Sequence, residues 1–140
     1  MALKFPYQKF PSGPNDAFPD HKQAQRPVIT IKVKCNNKEI EYLALIDSGA
    51  DFCMFHAEIG EHLGIDVNKG KRLKFFGVTG DKQVAYFHKI KIEVGGHEKE
   101  CYCGFSHELN KMPYGILGQK GFFDQFKVSM DYNKNRIELK

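Results

Sequence analysis

From position 26 onward apolar and polar residues alternate with a period of two through most of the chain, the pattern of half-buried β-strands. Ile29, Ile31 and Val33 alternate with Thr30, Lys32 and Lys34. Asn36-Asn37 then supplies a hairpin turn, and a return strand over 40–46 runs straight into Asp47-Ser48-Gly49. The period changes over 55–63, where Ile59 and Leu63 are spaced for one helix face and Gly64 provides a stop. A longer hairpin is predicted over 73–87, with Gly77 and Gly80 on either side of its tip. A tip of that kind suits a lid, and an ordinary surface hairpin reads the same way. Tyr86, Ile90, Ile92 and Val94 carry the alternation to Gly95-Gly96, and 101–105 returns from it. After a short buried run over 114–118, residues 119–125 predict about two turns of helix with Phe122 and Phe123 inward. Val128, Met130 and Tyr132 pair with Ile137 and Leu139 in a last hairpin across 133–135. The sum is an all-β fold of about eight short strands and two short helices, a closed or folded sheet.

Residues 1–25 do not fit this alternation. Pro6, Pro11, Pro14 and Pro19 interrupt regular elements, while Phe5, Tyr7, Phe10 and Phe18 give the segment adhesive rings. It reads as an extension that packs on its own domain or on a partner, ahead of a domain spanning 26–140.

At 140 residues the chain is the size of one domain. A net charge of +4 is spread thinly. The densest basic stretch, Lys69, Lys71, Arg72 and Lys74, has no interleaved aromatic platform, so a solvated loop is preferred over a nucleic-acid groove. No apolar run approaches membrane-spanning length, and the start of the chain has no apolar leader core. Cys35, Cys53, Cys101 and Cys103 therefore predict reduced thiols in a cytoplasm. Cys101 and Cys103 are two apart and share one strand face, and with His97 and His107 they complete no zinc pattern. No metal or cofactor is expected.

The chemistry concentrates at Asp47. A carboxylate closing a buried apolar strand is costly without a task, because an unpaired interior charge loses its hydration. Ser48 adds a hydroxyl that can brace the turn, and Gly49 leaves room for a close approach. The alternative is an Asx-turn in which Asp47 hydrogen-bonds its own backbone.

Taken in order, the strand over 26–33, the Leu45-Ile-Asp-Ser-Gly-Ala-Asp51 segment, the Phe75-Phe-Gly-Val-Thr-Gly80 tip and Ile116-Leu-Gly118 resemble the retropepsin-type aspartic peptidases over residues 26–140. These are the single-lobe retroviral proteases and their cellular relatives. The resemblance implies a closed acid-protease barrel that works as a homodimer, with one Asp47 from each subunit activating a water against a peptide bond. It also implies that Ser48 braces the pair across the dimer. Gly49, Ala50 and Asp51 would offer backbone groups to an extended peptide, and Gly77, Val78 and Thr79 would form the flap tip. A peptide or protein substrate follows, with neither nucleic acid nor membrane as partner. Two departures stand out: Ser48 replaces the usual Thr, and Gln119 replaces the Arg that pairs with the second motif Asp in retroviral members. Arg26 becomes the main candidate partner for Asp51. The helix and the aromatic extension look more like cellular or bacterial relatives. A peptide-binding or scaffold module of the same fold, with weak or no turnover, is the alternative.

Overall fold

The alternating segments pair into sheets in the computed structural model, which describes residues 2–76 and 80–140. The strands are β1 (Leu3–Phe5), β2 (Gln8–Pro11), β3 (Gln23–Arg26), β4 (Val28–Cys35), β5 (Lys38–Ile46) and β6 (Met54–His56), followed by β7 (Lys71–Phe76), β8 (Lys82–Val94), β9 (His97–Ser106), β10 (Gly115–Leu117), β11 (Val128–Asp131) and β12 (Arg136–Leu139). Among the described residues a single short α-helix, α1 (Ala57–His62), follows β6 directly.

Seven strands form one sheet in the order β4-β5-β10-β6-β9-β8-β7, and β4 also pairs with β8. That extra pairing closes the sheet into a barrel, leaving β7 as a flange on β8. Inward positions of β4 (Ile29, Ile31, Val33) and β8 (Ile90, Ile92, Val94) are buried, as period-two alternation on a one-sided sheet requires. The β4–β5 hairpin turns through Asn36 and Asn37 at φ 53° and 62°, the left-handed pair of a tight hairpin turn. Phe55, Phe105, Phe122, Leu63 and Leu117 fill the barrel. Each such side chain contributes about 1.5–3 kcal/mol by leaving water.

The first 25 residues are more regular than their prolines suggest. β1 pairs with β12, placing Leu3 opposite Leu139 and Phe5 opposite Ile137, in a sheet ordered β1-β12-β11. β2 and β3 form a separate two-stranded ribbon from Gln8↔Arg26 to Pro11↔Gln23. The prolines are accommodated because Pro6 falls between strands, Pro11 ends one, and Pro14 and Pro19 occupy the connection. The predicted helix over 119–125 is instead a series of hydrogen-bonded turns. Gly121, at φ 108°, takes a backbone conformation that an α-helix cannot contain. Among the described residues no helix is long and apolar enough to cross a membrane.

Candidate active site

Asp47 sits where β5 leaves the barrel. β5 and β10 run parallel, with Ala44, Leu45 and Ile46 opposite Gly115, Ile116 and Leu117. The Asp47 amide continues that ladder by donating to the Leu117 carbonyl at 3.0 Å. Its carboxylate Oδ1 accepts from the Gly49 amide at 2.9 Å, and the Ala50 amide closes the turn on the Asp47 carbonyl at 3.2 Å. The Asx-turn of the alternative reading is therefore present, and it fixes one carboxylate oxygen. Asp47 is half-buried in the single chain, while Ser48, Gly49 and Asp51 are exposed. Gly49 has no positive φ, so its own backbone does not require glycine.

The turn is clamped from the other side by residues 118–120. The Gln119 side chain donates from Nε2 to the Ser48 carbonyl at 2.8 Å, and its amide donates to the Ala50 carbonyl at 2.8 Å. The Lys120 amide donates to the Asp51 carbonyl at 3.0 Å, extending a parallel bridge between Phe52 and Lys120. Gly118 is essential to this approach: a Cβ there would lie 2.2 Å from the Phe52 carbonyl oxygen and 2.7 Å from that of Ala50. The Gly118 amide donates to Cys53 Sγ at 3.4 Å. Hydrogen bonding to Cys101 and burial push the Cys53 thiol well up, so it serves as a buried neutral acceptor rather than a thiolate.

By sequence Gln119 stands only as a missing Arg. In the fold it acts through its side-chain amide, on a carbonyl 71 positions away. A side chain–backbone bond of that span leaves no periodic signal in the sequence. A second set of residues has no sequence signal either. Tyr42 in β5 donates its hydroxyl proton to His56 Nδ1 and accepts from the His56 amide at 3.1 Å, while His56 Nε2 donates to the Met112 carbonyl at 2.8 Å. This chain of bonds ties β5 and β6 to the loop that enters β10. Burial raises the Tyr42 hydroxyl above its ordinary range, so it stays protonated and available as the donor.

Arg26 is engaged within its own chain: Nη1 donates to the Tyr114 hydroxyl at 3.2 Å, and the guanidinium lies over the Phe10 ring at 5.3 Å. Among the described residues no ion pair reaches Asp51. Gly77, Val78 and Thr79 lie outside the described residues. No group of three or more His, Cys, Asp or Glu side chains gathers around a metal position among the described residues.

A sequence profile of the family described as aspartyl protease matches residues 31–120, from β4 through the Lys120 bridge. The chain belongs to the aspartyl protease family. Its fold is similar to that of a retropepsin-like aspartic protease from Rickettsia conorii, with a TM-score of 0.61 at 18% identity over 99% of this chain and 91% of that one. It is also similar to EIAV protease complexed with the inhibitor HBY-793, with a TM-score of 0.50 at 19% identity over 68% of this chain and 83% of that one. At these identities the likeness is one of fold, a retropepsin-type barrel. No curated protein matches the chain in sequence.

Proposed function

We propose that this aspartyl protease family member is an endopeptidase in which two copies of Asp47, one from each subunit of a homodimer, share and activate one water. The observation that carries the reading is the anchored turn: Asp47 is held on the Leu117 carbonyl, its Oδ1 is fixed by the Gly49 amide, and Gln119 clamps Ser48 from behind. A side chain held this way is pre-oriented for chemistry, and its partial exposure leaves a face for a twin.

The dimer reading draws support from the β1-β12-β11 sheet, which ends on β11. Met130 and the adjoining Tyr132 are 43% and 61% exposed at that edge. Among the described residues β11 pairs only with β12, and an antiparallel match of two β11 strands about a two-fold axis would continue the sheet.

At about 3 Å and an effective dielectric of 20, two ionised carboxylates repel by roughly 5 kcal/mol, so one proton is shared between them. Paired carboxylates of aspartic proteases are the type case of this sharing. The ionised Asp47 takes a proton from the bound water as its oxygen attacks the peptide carbonyl carbon. The protonated Asp47 gives its proton to the carbonyl oxygen, forming a neutral gem-diol. That intermediate collapses with proton transfer to the leaving amine, and the C–N bond breaks. Ser48 braces the pair across the axis. Gly49, Ala50 and Asp51 present backbone groups to an extended peptide, with Gly77, Val78 and Thr79 assigned to close over it.

One observation favours the non-catalytic module as a second reading. Asp51 is exposed and has no ion pair among the described residues, and Gln119 offers no positive charge to it. Cleavage of an unfolded protein substrate from pH 4 to 7 separates the two. The peptidase reading predicts that Asp47→Asn keeps the fold and loses about 10²–10⁴-fold in rate. Equal cleavage by the variant removes Asp47 from catalysis, and peptide binding without cleavage at any pH favours the module.

A further inference from the structure

The Asp47 turn rests on β10, a strand too short to hold its register by its own ladder. β10 spans three residues, pairs with β5 on one side and, among the described residues, meets β6 only through Ile116↔Met54. Its last carbonyl, that of Leu117, accepts the Asp47 amide, and the clamping residues Gly118 and Gln119 follow at once. A displacement of β10 therefore moves the acceptor of Asp47 and both clamping residues together.

Side chains hold the entry to this strand. Tyr42 is buried in β5, and its ring crosses Gly115, the first residue of β10: a Cβ there would lie 2.7 Å from the Tyr42 hydroxyl oxygen and 2.8 Å from the Phe55 ring. The Tyr42 ring packs edge-on against Phe55, with centroids 5.3 Å apart, and its hydroxyl emerges at His56 in β6. The Met112 carbonyl can only accept, so the imidazole proton that meets it sits on Nε2. The Tyr42 hydroxyl accepts the His56 amide at 3.1 Å, and its own proton goes to a bare Nδ1. The neutral Nε2–H form alone satisfies all three bonds. With the proton moved to Nδ1, Nε2 and the Met112 carbonyl would be two acceptors face to face. With both nitrogens protonated, the Tyr42 proton would lose its acceptor.

We propose that Tyr42 and His56 are positioning residues for the Asp47 chemistry: they latch the entry of β10, so that Leu117 and Gln119 hold the Asp47 turn in its reactive orientation. The two side chains act through β10 and not on the substrate. Misplacement of a reacting group by a fraction of an ångström is costly even when its cause lies away from the chemistry. The inference rests on reading Asp47 as the catalytic acid, whereas the latch itself is a property of the folded chain.

The test compares the full-length wild type with Tyr42→Phe, which keeps the ring and removes the hydroxyl, by amide NMR and by cleavage of an unfolded protein substrate. Amide shifts are expected beyond the altered site, at Gly115, Leu117, Gln119 and Asp47. The kcat should fall about three- to tenfold with KM nearly unchanged, the loss of one hydrogen bond expressed in the barrier. His56→Gln retains a donor for the Met112 carbonyl and should keep more of kcat than His56→Leu. Side-chain packing alone would rank Leu at least as high. Imidazole nitrogen shifts of the wild type, which need no variant to fold, should show His56 protonated on Nε2 and bare at Nδ1. Shifts confined to the neighbours of 42 and 56, an unchanged kcat in Tyr42→Phe, Leu equal to Gln at position 56, or the opposite tautomer would each overturn the proposal. A wild-type chain that cleaves nothing strikes only the Asp47 chemistry, because the amide and imidazole shifts involve no turnover.

Discussion

Gly118 and Gln119 do at single positions what a whole element does elsewhere: they press the 118–120 segment against the Asp47 turn. An added Cβ at Gly118 would sit 2.2 Å from backbone oxygen, and a main-chain atom cannot swing aside as a flexible side chain can. Gly118→Ala should therefore force the two segments apart and cost about 1–3 kcal/mol. Urea unfolding checks this, and a loss within experimental error would show that the clamp is looser than described. Asp47, Ser48 and Gly49 are legible in sequence because three unusual residues close an apolar strand. The clamping side chain is not, because nothing near Gln119 in sequence announces that its amide reaches Ser48.

Among the elements, the seam that closes the barrel is the joint of β4 with β8, and it carries a charge cluster. Lys34 Nζ lies 2.7 Å from Glu93 and 3.3 Å from Glu98. The bond to Lys34 holds the carboxyls of Glu93 and Glu98 below their ordinary range, and the bond to Glu93 raises the Lys34 ammonium above its own. A carboxyl with a lowered folded pKa binds fewer protons folded than unfolded. Its contribution is present at neutral pH and is lost as pH falls through the lowered value. Thermal melts should thus find Lys34→Met less stable than wild type near neutrality, with the gap shrinking from about pH 5 downward. A gap that stays constant into acid would contradict the linkage. Exposure and salt keep the effect small, and it should diminish at high ionic strength.

At the same scale, strands longer than about five residues are legible, because alternation over that length has few competing explanations. β10 spans three residues, so its insertion between β5 and β6 has no period to reveal it. The ribbon of β2 and β3 is hidden by prolines that prove to lie at strand ends and in the connection. The turns over 121–125 read as a helix through the inward Phe122 and Phe123, while Gly121 breaks the backbone.

Viewed as a whole molecule, the barrel presents one Asp47 carboxylate where the proposed chemistry needs two. Under that proposal the chain supplies one pre-oriented half of the site and the second half comes from another copy, across a β11 that pairs only with β12 among the described residues.

The most direct measurement holds the wild-type amount fixed and adds increasing Asp47→Asn protein under conditions that let subunits exchange. If each active unit needs two intact copies of Asp47, an equal amount of variant lowers the cleavage rate to about half, as random pairing about a two-fold axis requires, and further variant lowers it more. A rate indifferent to the variant would mean that one chain carries the whole site, and the shared-water account would fall.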